Sequence, residues 1–272
     1  MNTIYLHKVI TFLFLETLCE RNINTIFCDL KIIKLSAIDS TNSYLKELSK
    51  GYAVEDGLVV VAARQTHGRG QMGSQWLSQA SKSLTFSMFK RFEDLPARDA
   101  EKVLFAVSLA TKETLERLNI PGLSIKWPND ILSYNKKIGG ILIENQLQGS
   151  NIVGSIIGLG LNVNNEDLSE LPQASSLYLS TGKTYDLDTI LRDLAKEMQL
   201  QLQLIATTPL ETFQKKYEDS MFRRGKVSVF EDAFRNRFNG IILGVSSQGK
   251  LKISLEDDSV KEFGLKEIKL LF

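Results

Sequence analysis

Residues 126–144 read KWPNDILSYNKKIGGILIE. A short apolar run, Leu123-Ser124-Ile125, leads into them and stops at Pro128, which has no N–H to give to a central strand ladder. Ser133-Tyr134-Asn135 reads as a turn, where Asn tolerates the backbone a tight reversal needs. Two strands joined by that turn place Lys137 at the mouth of a buried strand. Gly139 and Gly140 carry no side chains, so a ligand can approach that backbone closely. A cation beside such a floor suits a carboxylate or a phosphate. A solvated hairpin end with a glycine bulge is the plainer reading, and the segment alone does not choose between them.

The whole chain sets bounds on both readings. Its 272 residues, 43% of them hydrophobic, suffice for a large domain with or without a small one. A formal net charge of +1 argues against a nucleic-acid binder. Cys19 and Cys28 form no disulfide framework or zinc spacing. His7 and His67 are far apart, so no His-based metal site is expected. Residues 1–30 read as a disposable extension or an amphipathic helix resting on the body. Their apolar run, Val9 to Leu15, is too short to span a bilayer and lacks a small-residue cleavage site. A helix-turn-helix would need more room and a basic recognition helix.

Upstream of the opening stretch, Lys31 to Ile38 alternates as a strand. Asp39-Ser40-Thr41-Asn42-Ser43 then offers capping residues to a helix beginning near Tyr44. Those residues either cap the helix or present hydroxyls and free N–H groups to a polar ligand. Gly57 to Ala63 reads as a buried strand. A loop follows it, RQTHGRGQMGSQW from Arg64 to Trp76, whose glycines around Arg69 can wrap amides about an anion. No Asp or Glu occurs from Gly57 through Phe92, while Arg64, Arg69, Lys82, Lys90 and Arg91 do, a local bias that suits a nucleotide phosphate. Trp76 either stacks on a base or fills the core. The loop is neither a Walker A nor a Rossmann fingerprint.

A strand from Lys82 to Phe89, with Leu84, Phe86 and Met88 on one face, precedes the longest helix, Ala97 to Asn119. Beyond the opening stretch, Asn151 to Val163 is an apolar strand with Asn162 near its end. Asp186 to Thr207 and Leu210 to Ser220 read as helices. After Met221 the period changes to two, predicting short strands and a boundary near Phe222. Arg223, Arg224 and Lys226 read more readily as a solvated cluster than as phosphate ligands.

Five blocks together resemble the biotin protein ligase family: Asp39-Ser40-Thr41-Asn42; Gly68-Arg69-Gly70 with Trp76 beyond; Lys126 to Asp130; Lys137 to Leu142; and Gly158 to Asn162. The resemblance covers roughly residues 32–164 and extends only loosely to the C-terminal segment. It implies an α+β fold, a mixed and largely antiparallel class II synthetase-like sheet flanked by helices, with a small SH3-like β-barrel after it. The implied division is an extension over 1–30, a catalytic domain over 31–221 and an SH3-like domain over 222–272.

The resemblance also implies a reaction. Biotin and ATP give biotinyl-5′-AMP with Mg²⁺, and biotin then passes to a lysine of a carboxylase carrier domain. Ser40, Thr41, Asn42 and Gln65 would hold the biotin ring. Arg69, Gly70 and Gln71 would close over biotin and the adenylate, and Lys137 would neutralise the biotin carboxylate and the α-phosphate. Arg69 and Lys137 would be the catalytic pair that stabilises charge growing in the transition state. Trp76 would stack on adenine, with Asn162 near the nucleotide and Asp130 near metal or phosphates. No protein ligand of a metal is assigned with certainty. A cytoplasmic protein, without nucleic-acid or membrane partners, is expected, and a homodimer is compatible with the resemblance.

Many family members carry Arg where this chain has Gln71, and some carry Arg at Ser74, which implies a weaker hold on the adenylate. The form with an N-terminal DNA-binding domain is not expected here. A lipoate ligase of similar fold, needing a longer apolar pocket, and a non-catalytic biotin or adenylate binder are the competing readings.

Overall fold

The computed structural model of the chain describes residues 30–51 and 54–272. The extension expected over residues 1–30 lies, apart from Leu30, outside them. Strands β1 (Ile32–Leu35), β2 (Val59–Ala62), β3 (Ser83–Pro96), β4 (Leu123–Lys126), β5 (Asp130–Ser133), β6 (Lys136–Gln148) and β7 (Asn151–Asn162) form one sheet. Its order is β1-β2-β3-β7-β6-β5-β4. Only β1 and β2 run parallel, because helix α1 (Thr41–Gly51) carries the chain across between them. The other pairs are antiparallel, so the sheet is mixed and largely antiparallel.

Helix α1 starts at Thr41, earlier than the capping pattern suggests. Thr41 and Asn42 therefore sit in its first turn. Helix α2 (Glu101–Arg117) follows a short 3-10 turn, Ala97–Asp99, and is joined by α3 (Leu177–Thr181), α4 (Leu187–Gln203) and α5 (Leu210–Asp219). Asp186 caps α4, accepting from the Thr189 N–H at 2.8 Å.

The sheet buries both faces. Leu84, Phe86 and Met88, alternate residues of β3, join the apolar stripes of α2, α4 and α5 in the main core. Burying each of these side chains contributes about 1.5–3 kcal/mol. Leu45 of α1 packs with Val60, Phe89 and Ile156 in a smaller cluster. Tyr217 of α5 stacks on Phe105 at 4.6 Å and donates to the Pro128 carbonyl at 2.7 Å, which ties the chain break after β4 to the core.

After α5 the chain lies along the edge strand β4. Ile125 donates to the Ser220 carbonyl and Phe222 to the Ile125 carbonyl, each at 2.8 Å. A second, antiparallel sheet then forms from β8 (Val227–Asp232), β9 (Arg237–Val245), β10 (Leu251–Leu255), β11 (Val260–Phe263) and β12 (Ile268–Leu271), in the order β11-β10-β9-β8-β12. Its phenylalanines pack face to face, Phe230 on Phe238 at 5.8 Å and Phe238 on Phe263 at 5.9 Å. This small sheet is consistent with an SH3-like domain.

Two hydrogen bonds fasten it to the first sheet at informative places. Trp127 Nε1 donates to the Gly249 carbonyl at 2.8 Å, and Lys266 Nζ donates to the Met72 carbonyl at 2.9 Å, within the glycine-rich loop. Arg224 holds Glu218, Asp219 and the Leu243 carbonyl, so it serves this junction. No helix among the described residues is long and apolar enough to cross a membrane.

Candidate functional site

A cavity of about 250 Å³ opens between the N-terminus of α1, the glycine-rich loop and the sheet. Ser40, Thr41, Asn42, Gln65, Arg69, Gly70, Gln71, Trp76, Asp130 and Lys137 all line it. Three distant segments, 40–42, 65–76 and 130–137, thus converge on one place. Asn162 stands apart, since it does not line the cavity. Its amide donates to the Ser175 carbonyl at 3.1 Å, Ser175 donates to the Lys137 carbonyl at 2.8 Å, and Lys137 donates to the Gln173 carbonyl at 2.8 Å. Asn162 therefore braces the backbone that carries Lys137. Of the two glycines in the opening stretch, Gly140 lines the cavity, whereas Gly139 backs onto the Gly160 carbonyl, Leu161 and Ile131.

One end of the cavity is a buried polar cluster. Ser40, Thr41, Asn42 and Ser87 are each no more than 3% exposed. Gln65 Oε1 accepts from Thr41 N at 2.8 Å and lies 3.2 Å from its hydroxyl. Ser87 Oγ lies 2.7 Å from Thr41 Oγ1 and 2.5 Å from Asn42 Oδ1. Asn42 Nδ2 donates to Glu144 Oε2 at 3.1 Å. Gly158 makes room for this amide, because a Cβ there would lie 2.2 Å from Asn42 Oδ1.

The other end is charged and aromatic. Lys137 Nζ sits 2.6 Å from Asp130 Oδ1, and Lys126 Nζ 3.3 Å from Asp130 Oδ2. Lys137 Nζ also lies 5.5 Å from the centroid of the Trp76 ring, within cation–π reach. Trp76 is half-buried and rests on the glycine floor. A Cβ at Gly160 would be 2.3 Å from the indole and one at Gly140 3.3 Å from it. Its Nε1 is buried against the Gly160 floor and has no hydrogen-bond acceptor among the described residues.

The loop between Gly68 and Trp76 is folded back on itself. Gly70 N donates to the Ser74 carbonyl at 2.7 Å and Trp76 N to the Gly68 carbonyl at 3.0 Å. Met72 turns the chain with φ +52° and Gly73 with φ +79°. Arg69 reaches across to Glu144, with Nη1–Oε2 at 3.1 Å and Nη2–Oε1 at 3.0 Å.

The local excess of cations read from residues 57–92 does not survive folding as a bare positive field. Lys82 pairs with Glu166, Lys90 with Asp56 and Arg69 with Glu144. Arg223, Arg224 and Lys226 do not line the cavity.

Sequence reasoning gave no role to Ser87, Glu144, Asn129 or Gly158, though all but Ser87 lie in stretches it quoted. Asn129 Nδ2 donates to the Ile141 carbonyl, and Ile141 N to the Asn129 carbonyl at 3.0 Å, closing the strand around the cavity floor. Among the described residues no group of three His, Cys, Asp or Glu stands ready for a metal ion, and Asp130 is the sole carboxylate lining the cavity.

Comparison with known proteins gives a consistent result. The model of the biotin/lipoate A/B protein ligase family matches residues 35–162. The bifunctional ligase/repressor BirA of Escherichia coli is 29% identical over 240 residues, 87% of this chain and 73% of that protein. The biotin–[acetyl-CoA-carboxylase] ligase of Mycobacterium tuberculosis is 31% identical over 166 residues, 60% of each chain. The structure of the biotin protein ligase from Aquifex aeolicus in complex with biotin and ATP superposes with a TM-score of 0.71 at 31% identity, covering 89% of this chain and 98% of that one.

Proposed function

The chain belongs to the biotin/lipoate A/B protein ligase family, and from that premise we propose that it joins biotin to ATP and passes the biotinyl group to a carrier-protein lysine. The observation that carries the choice of biotin is the buried cluster of Ser40, Thr41, Asn42 and Ser87. A urea ring can give and take hydrogen bonds there. The dithiolane of lipoate offers these groups no hydrogen-bond partner, and a site built to hydrogen-bond its substrate discriminates against a ligand that cannot answer it.

In the first step a biotin carboxylate oxygen attacks the α-phosphorus of ATP, the bond to pyrophosphate breaks, and a mixed anhydride forms. Two anions must meet. Lys137, at the charged end of the cavity, offsets their repulsion and stabilises the charge growing on the α-phosphate. Asp130 holds Lys137 in place, and it would be the residue to hold a Mg²⁺ bound with the nucleotide, which would supply neutralisation of phosphate charge. Arg69, Gly70 and Gln71 close over the adenylate and keep water from the anhydride. Trp76 offers its indole face to the adenine.

In the second step the carrier lysine's neutral amine attacks the acyl carbon and AMP leaves. An amide remains, and the amine's proton is lost to solvent. No side chain of the protein forms a covalent bond, so no nucleophile is needed. In this division of labour residues 31–221 carry the chemistry, and residues 222–272 form an accessory SH3-like domain.

The test is direct. Purified protein, ATP, Mg²⁺, biotin and a carboxylase carrier domain should give a carrier heavier by one biotinyl group. Replacing biotin with lipoate should give none. Binding of biotin and ATP without any mass gain would leave a non-catalytic binder, and labelling by lipoate alone would overturn the assignment of substrate.

A further inference from the structure

We infer that Glu144, which touches neither reacting group in the scheme above, is a positioning residue that locks the glycine-rich loop to the ring end of the cavity. The inference rests on the ligase reading for its ligand and on geometry for its logic. Glu144 lies on β6, and its side chain is 17% exposed. Its two oxygens receive a forked bond from Arg69 at 3.0 and 3.1 Å, one nitrogen to each oxygen. Oε2 also accepts from Asn42 Nδ2 at 3.1 Å, and Oε1 from Lys46 Nζ at 3.2 Å. Forked, partly buried pairs of this kind hold geometry in a way that exposed single pairs do not.

The contact has a consequence for direction as well as place. An Asn amide can present either its oxygen or its nitrogen to a given neighbour. Because Nδ2 faces the Glu144 carboxylate and the Leu142 carbonyl at 3.4 Å, Oδ1 is the atom left to face Ser87. Ser87 has one proton and gives it to Oδ1. Thr41, 2.7 Å from Ser87 Oγ, then gives its own proton to Ser87 or Gln65. Asn42 and Thr41, both of which line the cavity, thereby keep acceptor oxygens fixed in the cluster, the polarity that an N–H of a urea requires. One carboxylate thus sets the polarity of the ring site and anchors the loop that closes over it. Glu144→Gln keeps the shape but halves the acceptors and invites Asn42 to flip.

The experiment compares Glu144→Gln with the natural chain in biotin-dependent ATP–pyrophosphate exchange, with hydrogen exchange read over residues 68–76. The expected result is a KM for biotin raised at least about tenfold, with kcat at saturating biotin changed less than about threefold. Faster exchange of the loop amides at an unchanged melting temperature should accompany it. A double-mutant cycle with Arg69→Gln should show the two changes to be non-additive in loop protection.

Additive effects, or a KM and a loop protection matching the natural chain, would overturn the inference. Should Glu144→Gln fail to fold, Ser87→Ala, which removes the Asn42 contact from the other side, must raise the KM for biotin without loosening the loop; a loosened loop or an unchanged KM sinks the idea. Absence of exchange activity in the natural chain would be a failure of the ligase reading instead. The loop-protection cycle, which needs no turnover, would still decide the role of Glu144.

Discussion

Gly158→Ala adds one methyl group at the point where the cavity has least room. An ideal Cβ there would sit 2.2 Å from Asn42 Oδ1 and 3.0 Å from its Cγ. The backbone gives no objection to alanine, which suits a mid-strand position better than glycine does. The whole effect is therefore a collision with one amide. That amide is held by Ser87 at 2.5 Å, by Glu144 at 3.1 Å and by the Leu142 carbonyl at 3.4 Å.

Retreat from the methyl sacrifices the Ser87 bond, worth about 1 kcal/mol, and the charged bond to Glu144, worth roughly 1.5–3 kcal/mol. The loss of roughly 2.5–4 kcal/mol divides between folding and biotin binding. Assigned wholly to binding, it weakens affinity by roughly 10²–10³-fold. Calorimetric titration with biotin and a thermal melt of the same sample measure the two shares. A variant whose affinity stays within about twofold and whose melting temperature stays within about 1 °C would refute the placement of Asn42 against Gly158.

Lys137→Ala should lower the rate of adenylate formation by at least ~10²-fold, read as ATP–pyrophosphate exchange; near-normal turnover would rule out the role given to it. Gln71→Arg adds a cation where the loop meets the adenylate, and should slow release of biotinyl-5′-AMP in a filter-retention assay; an unchanged release rate counts against that position. Burial pushes the Glu144 carboxyl up, but donation from Asn42, Arg69 and Lys46 outweighs it and holds the group below its ordinary 4.5. A carboxyl depressed in the folded state stabilises the fold fully above pH 4.5 and less as pH falls through its folded value. Denaturant melts below pH 4.5 should therefore show Glu144→Gln losing stability less steeply than the natural chain, and parallel curves would contradict this.

The fold was largely legible because its periods are clean. Leu84, Phe86 and Met88 alternate onto the helix-covered face, and the turn at Ser133 to Asn135 joins β5 to β6 as read. What escaped has physical causes. Ser87 looked like the solvated face of its strand, since nothing local says that α1 covers that side. Glu144 looked like the end of an apolar run, yet β6 continues to Gln148. Counting by twos from Gly140 through Leu142 puts its carboxylate on the cavity face. Asn162, which the resemblance put near the nucleotide, instead turns its amide to the Ser175 carbonyl of a segment with no periodic pattern. Strand β11 was missed because Lys261-Glu262 interrupts the apolar alternation in a run of four residues. Cation pairing over long separations, as in Lys82–Glu166, is invisible to any window along the chain.

Every residue lining the cavity falls between positions 40 and 160, so the C-terminal sheet adds nothing to its walls. Yet the tip of the loop hangs between two moorings, Glu144 on the near side and Lys266 on the far side. A tug on the last strands is then felt at Gln71, next to the Met72 carbonyl that Lys266 grips.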